Sequence, residues 1–154
     1  MASKFFERRS IRNQLKTYLE LKGWVGMTWA EGFSAFNLEE IITPFIALIL
    51  SDFGKDELEM GANPTINKIF SRRVQVYVYM ESEDRVLAIT DDISDFFDIE
   101  VIIIKDNNNN VLGSMISDTA SIVMSEDDPS ITKPDSIEWV GVVACMYDVH
   151  YPQG

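Results

Sequence analysis

The hydrophobic period of the chain changes twice between residues 73 and 104, and no other feature constrains the fold as strongly. Residues 73–80, RVQVYVYM, alternate apolar with polar or aromatic residues, which is the two-residue period of a strand. From Ser82 the period becomes that of an amphipathic helix, with a stripe formed by Val86, Ile89, Ile93 and Phe96 or Phe97. A β-branched run follows. The pattern predicts a strand-helix-strand unit at about 72–105, for which a right-handed crossover between parallel strands is the usual solution.

The other periodic segments complete an α+β fold, with one mixed β-sheet and flanking helices. Residues 3–22 predict a helix that Ser3 can cap and Gly23 can end. Residues 44–53, 111–126 and 136–151 predict strands, the last two paired antiparallel across the loop DDPSITKPD. Residues 54–64 predict an acidic loop, and residues 24–33 fit either a short strand or a loop. With 154 residues, 46% of them hydrophobic, we expect a single domain over residues 1–154.

Neither a membrane span nor a signal peptide is predicted. The densest apolar run, residues 44–50, has the length of a strand, and the N-terminus mixes charges into its first turns. We therefore expect a soluble protein made in the cytoplasm. Cys145 is the single cysteine, so an internal disulfide is excluded, and its alternating apolar neighbours favour a buried structural thiol over a nucleophile.

Charge is divided unevenly along the chain. Residues 1–80 contain 10 Lys and Arg against 9 Asp and Glu, whereas residues 81–154 contain 3 against 16. A net charge of −12 opposes phosphate, so tight DNA binding is not expected. The basic first helix is either a solvated face or a partner surface. Arg8, Arg9 and Arg12 form the candidate interface patch, because they lie within about one turn and Arg8 and Arg12 share a side at i and i+4.

The stretch KDNNNNVLG, residues 105–113, poses a choice between a cation loop and a turn. Asp106, Asn108 and Asn110 alternate as in an EF-hand, but Val111 and Ser117 stand where that loop needs a glycine and a bidentate glutamate. Asparagine tolerates left-handed backbone and forms local hydrogen bonds. The pattern favours a hairpin turn between two strands.

The remaining candidates do not assemble a catalytic, cofactor or metal site. Asp91 and Asp95 share the polar face of the second helix, and the acidic stretch SEDDP has no His or Cys companion. His150 is the only histidine and is predicted to be a surface residue. The phosphate-binding patterns GxxxxGK[ST] and GxGxxG do not occur. We therefore assign no catalytic residue, cofactor or metal, and an ordinary enzyme has little support.

The order of segments carries a resemblance that spans most of the chain. It consists of the N-terminal helix, the apolar run led by Pro44, the acidic loop, RRVQVYVYM, the helix beginning SEDRVLAITDDI, and the closing DTASIV and EWVGVVACMYDV. In this order and pattern the chain resembles the tail terminator proteins of long-tailed bacteriophages. Residues 24–33 do not fit the family pattern, which leaves the early strand order open.

The resemblance implies a structural rather than catalytic role in the virion neck. Proteins of that family form a hexameric ring on the head-proximal end of the tail tube, stop its polymerisation and present a surface to the head-tail connector protein. The implied partners are further copies of the chain, the tail-tube protein and the connector, with DNA passing through an acidic lumen without specific binding. The alternatives are another head-tail connector or head-completion protein, or a small acidic ligand-binding or hydrolytic domain.

Overall fold

The fold is α+β, with two helices and seven strands in one mixed sheet within the part of the chain that the structure describes, which confirms the predicted class. The structure is a computed structural model that describes residues 4–31, 44–52, 58–59, 68–99, 101–125 and 139–151. In chain order the elements are α1 (Lys4–Leu21), β1 (Thr28–Glu31), β2 (Phe45–Asp52), β3 (Leu58–Glu59), β4 (Lys68–Met80), α2 (Glu83–Ile99), β5 (Ile102–Lys105), β6 (Val111–Ser125) and β7 (Trp139–Tyr151).

The strand order is β1-β2-β4-β7-β6-β5, with β3 paired to the start of β4. β1 and β2 are parallel, and the other pairs are antiparallel. The expected parallel crossover from β4 to β5 is wrong, because β7 and β6 lie between these strands and β5 runs antiparallel to β4. The physical reason is ladder length. β7 pairs along the whole of β4, whereas the four-residue β5 pairs with β6 across a short turn.

Both long C-terminal strands pair antiparallel as predicted, and their connecting loop lies outside the described residues. Two expectations about the first half need correction. A two-residue strand, β3, lies inside the predicted acidic loop, and β4 begins at Lys68 rather than near residue 72. Residues 28–31 of the ambiguous segment form β1, while Gly32 and Phe33 lie outside the described residues.

Helix α1 forms because its apolar residues recur on one side. Ile11, Leu15 and Leu19 are buried in the main core. The helix ends where Gly23 takes a positive φ of 96°, a conformation that side chains with a Cβ rarely adopt. The amide of Trp24 then donates to the Leu19 carbonyl at 2.9 Å and that of Gly23 to the Glu20 carbonyl at 3.0 Å, which is the Schellman arrangement. The predicted cap Ser3 lies outside the described residues.

Helix α2 packs on β4, β6 and β7 through the predicted stripe, all of which is buried. Gly141 on β7 permits the close approach, since a Cβ there would lie 2.6 Å from Val86 Cγ1 and 2.8 Å from Thr90 Cγ2. Helix α1 contacts both β2 and β5, which belong to opposite halves of the strand order, so the sheet curls around α1. Neither helix is long and apolar enough to cross a bilayer, as judged from the described residues.

Candidate functional site

The structure separates the three arginines of the predicted patch. All three are partly exposed, but only Arg9 lines the groove that α1 forms with β5 and the turn at residues 106–110. Arg9 donates a hydrogen bond to the Asn107 side chain, and its guanidinium lies 5.4 Å from the Phe5 ring centre and 5.2 Å from that of Phe6. Arg12 Nη1 donates to Asn13 Oδ1 at 3.4 Å. The interface role assigned to Arg8, Arg9 and Arg12 stays a prediction.

The groove between α1 and the turn is open and has a volume of about 600 Å³. Its charged lining residues are Arg9, Lys105 and Asp106. It is also lined by Asn13, Asn107 and Asn109. Such a groove offers hydrogen bonds and positive charge rather than an apolar cavity.

The turn at residues 106–110 joins β5 to β6 and confirms the hairpin interpretation of the asparagine run. Asp106 Oδ1 accepts the amides of Asn108 and Asn110 at 2.8 and 2.9 Å, and Oδ2 accepts Asn110 Nδ2 at 3.0 Å. Asn109 takes the left-handed conformation, with φ of 64°. The hydrogen bonds from Asn110, its side chain first, lower the pKa of the Asp106 carboxyl. The turn therefore uses the carboxylate that a cation loop would need as a ligand.

The outer edge of β5 is covered by polar side chains of α1. Gln14 Nε2 donates to the Ile103 carbonyl at 2.8 Å, and the Ile103 amide approaches Gln14 Oε1 at 3.5 Å. The Lys105 amide donates to Ser10 Oγ at 3.0 Å. These contacts satisfy backbone groups that β6, on the other side of β5, cannot reach.

A buried polar network ties α1 to β4 and β7. Glu7 is 0% exposed and Arg72 4% exposed, and Arg72 Nε donates to Glu7 Oε1 at 3.1 Å. The Tyr151 hydroxyl donates to Glu7 Oε2, and the Tyr147 hydroxyl approaches Oε1 at 3.5 Å. Residues distant in sequence thus converge on a single carboxylate.

Burial is the largest influence on the pKa values of Glu7 and Tyr147 in this network. Burial raises the pKa of Glu7, and the hydrogen bond from Tyr151 and the charge of Arg72 offset only part of that rise. Burial also raises the pKa of Tyr147 well above its usual value, with a further contribution from the negative charge of Glu7. Because the Glu7 side chain has no exposed surface, this carboxyl is placed to anchor α1 rather than to exchange protons with a ligand.

The sequence shows a basic first helix, and sequence reasoning missed the burial of Glu7. The spacing of apolar residues in the sequence did indicate that Glu7 is buried. Glu7 lies four residues before Ile11 and eight before Leu15, so it belongs to the apolar stripe that faces the sheet. The identity of its partners could not be found in this way, because Arg72 and Tyr151 come from distant strands whose order was not predicted.

The other predicted residues fall in several places. Cys145 is buried as predicted, and its Sγ lies 3.4 Å from the Met146 carbonyl oxygen. Asp91 and Asp95 are exposed on α2, and His150 is half-buried on β7. The acidic stretch after Ser125 lies outside the described residues. Within the described ranges, no three His, Cys, Asp or Glu residues are grouped as a metal site.

Helix α2 also holds the segment that follows α1. Trp24 Nε1 donates to Asp92 Oδ2 at 2.7 Å, and the Arg85 guanidinium lies 5.7 Å from the Trp24 ring centre. Asp92 is half-buried, and its carboxylate accepts this hydrogen bond. The carboxylate therefore holds the segment between α1 and β1 against α2.

Comparison with known proteins adds no family assignment to this geometry. No protein-family model matches the chain, and no curated protein matches its sequence.

Proposed function

We propose that the chain is a structural protein of the phage neck that forms a homo-oligomeric ring. The ring, a hexamer on the resemblance to tail terminators, caps the tail tube, stops its polymerisation and offers a surface to the head-tail connector. It acts within the virion, without a cofactor and without a catalytic residue. DNA passes through its lumen and is repelled by the net negative charge.

The observation that carries the proposal is the segregation of charge, which the buried network sharpens. Glu7 is withdrawn from the surface by its pairing with Arg72, so Glu20 is the only exposed acid of α1. The partly or fully exposed cations from residue 4 to residue 22 are Lys4, Arg8, Arg9, Arg12, Lys16 and Lys22. The second half of the chain contains 16 acids against 3 bases.

This distribution fits a head-to-tail contact better than a self-complementary one. In a closed ring each subunit presents one face to a different face of its neighbour, so a basic face can meet an acidic one at every interface. A two-fold contact of the basic face with itself would place like charges together. The charge pattern thus supports cyclic self-assembly.

The experiment is native mass spectrometry of the purified protein, followed by addition to growing tail tubes. We expect a closed ring that shortens the tubes and that dissociates as salt is raised, because screening weakens charge pairs. A ring that does not bind tail tubes would favour the connector or head-completion alternative. A protein that stays monomeric at all concentrations would contradict the proposal.

A charge-reversal pair tests the surface involved. Arg8→Glu with Arg12→Glu should convert rings to monomers while the circular dichroism spectrum stays unchanged. The matched control, Lys22→Glu with Arg85→Glu, makes the same change of net charge just beyond the C-terminal end of α1 and on α2, and should leave the ring intact. Equal effects of both pairs would show that net charge, and not the α1 face, governs assembly.

A further inference from the structure

We propose that the groove between α1 and the 106–110 turn is the site that receives the acidic segment at residues 126–138 of a neighbouring copy. This inference rests on the proposed function, because it names the two surfaces that meet in the ring. It assigns the groove a peptide ligand of defined chemistry: an acidic stretch of chain.

The groove presents positive charge from two sides. Arg9 stands on α1, where its hydrogen bond to Asn107 and its contacts with the Phe5 and Phe6 rings fix the guanidinium in place. Lys105 stands at the end of β5 with an exposed side chain. A fixed guanidinium loses little conformational freedom when it binds a carboxylate, so it is a favourable anchor.

The one acid that lines the groove does not cancel this charge fully. Both Asp106 oxygens accept hydrogen bonds from the turn itself, two from backbone amides and one from the Asn110 side chain. Those donors stabilise the carboxylate locally. The two cations, Arg9 and Lys105, outnumber the one carboxylate, Asp106, so the groove has a net positive charge.

The side-chain amides explain why the ligand is a peptide and not a simple anion. A carboxamide offers one acceptor and two donors, as needed to bind both the N–H and the C=O of an extended backbone. Gln14 already makes this type of contact with Ile103 of β5, at 2.8 and 3.5 Å. The adjacent groove is lined by Asn13, Asn107 and Asn109. Their side chains can form the same kind of hydrogen bond with the backbone of a bound peptide.

The segment at residues 126–138, EDDPSITKPDSIE, has the complementary composition. Its five acids, Glu126, Asp127, Asp128, Asp135 and Glu138, are opposed only by Lys133. Each of its two prolines biases the preceding residue toward extended backbone. The outer edge of β5 is already covered by Gln14 and Ser10 of α1. The segment would therefore be bound by side chains and would not add to the sheet as a strand.

The test measures binding of a fluorescein-labelled synthetic peptide, EDDPSITKPDSIE, to the full-length protein by fluorescence anisotropy. We expect saturable binding that weakens with salt and falls at least about tenfold in the variant Arg9→Glu with Lys105→Glu. The control variant Lys22→Glu with Arg85→Glu, equal in net charge, should bind within about twofold of wild type. A peptide with Asn and Gln in place of its acids should not bind, which tests charge recognition even if the groove variant fails to fold.

The results separate this inference from the proposed ring. If the protein forms rings but does not bind the peptide, the groove assignment is overturned and self-assembly stands. If the monomeric protein binds the peptide through Arg9 and Lys105 but never forms rings, the groove assignment stands and the ring proposal fails. Stronger binding of labelled duplex DNA than of the peptide, lost in the same groove variant, would overturn the peptide assignment in favour of a phosphate ligand.

Discussion

Breaking the buried pair of Glu7 and Arg72 should cost stability in a way that depends on which partner is removed. Glu7→Gln keeps the size of the side chain but removes the charge that faces the guanidinium, 3.1 Å away. Loss of one partner of a buried ion pair costs about 3–5 kcal/mol. We expect about 3 kcal/mol, because Gln still offers an acceptor to Tyr151 and because Arg72 makes further contacts.

Arg72→Met should behave differently because a carboxyl can become neutral and a guanidinium cannot. Without Arg72 the pKa of Glu7, already raised by burial, should rise further and allow the group to bind a proton. Protonation is worth about 1.36 kcal/mol per unit of pH, so the loss in this variant should be smaller at pH 5 than at pH 7 by up to about 2.7 kcal/mol.

The sign of the wild-type pH dependence follows from the same shift. Because the folded pKa of Glu7 lies above its ordinary value of 4.5, the folded state binds more protons between these two values. The part of the stability that comes from the raised pKa of Glu7 is fully present below pH 4.5 and is lost as pH rises through the folded pKa. Glu7→Gln should remove this part of the slope.

The assay is urea unfolding followed by circular dichroism at pH 5 and pH 7, at one fixed protein concentration because assembly adds to apparent stability. The exposed Glu20→Gln, also on α1, is the control and should change stability by no more than about 0.5 kcal/mol. In the double variant Glu7→Gln with Arg72→Met we expect a smaller loss than the sum of the single losses. If the two single losses add to within about 0.5 kcal/mol of the double loss, Glu7 and Arg72 are not energetically coupled and the prediction is refuted.

Three further predictions concern other parts of the structure. Tyr151→Phe should cost about 1.5–3 kcal/mol in urea unfolding, since it removes a hydrogen bond to a charged acceptor, and more than Tyr147→Phe, whose hydroxyl lies 3.5 Å from Glu7; equal losses would contradict the geometry. Gly141→Ala should lower stability by about 1–3 kcal/mol through overpacking against Val86. The same change should cost less in a protein that already carries Val86→Ala, and a neutral Gly141→Ala would show that α2 shifts freely. Calorimetric titration with calcium or magnesium should give no saturable heat, because the Asp106 oxygens are already used within the turn; micromolar binding there would show that the turn rearranges.

Prediction from sequence succeeded where the signal is local. The two helices, the alternation in β4 and the asparagine turn each depend on residues close in the chain, and all are found where expected. The parallel crossover failed because the choice of neighbour for β4 depended on β7, about seventy residues later, whose ladder with β4 is far longer than any that β5 could form.

The candidate site was predicted less well for a related reason. Arg9 was named as part of a basic patch, but its groove needs Lys105 and the 106–110 turn, which come next to α1 only in the folded chain. The role of Glu7 was missed because charged residues are rarely buried without partners, and its partners lie on β4 and β7. Periodicity alone could have placed Glu7 on the buried side, although not beside Arg72.

The side chains that α1 places along β5 also protect the protein against aggregation. An edge strand with unpaired amides and carbonyls is a template onto which another chain can add, and native proteins block such edges with charges, bulges or a covering element. Gln14 and Ser10 block this edge of β5 by occupying its hydrogen-bonding groups, while Lys105 adds a charge at the end of the strand. The contacts thereby keep a short β-branched strand from pairing with the backbone of another chain and starting a fibril.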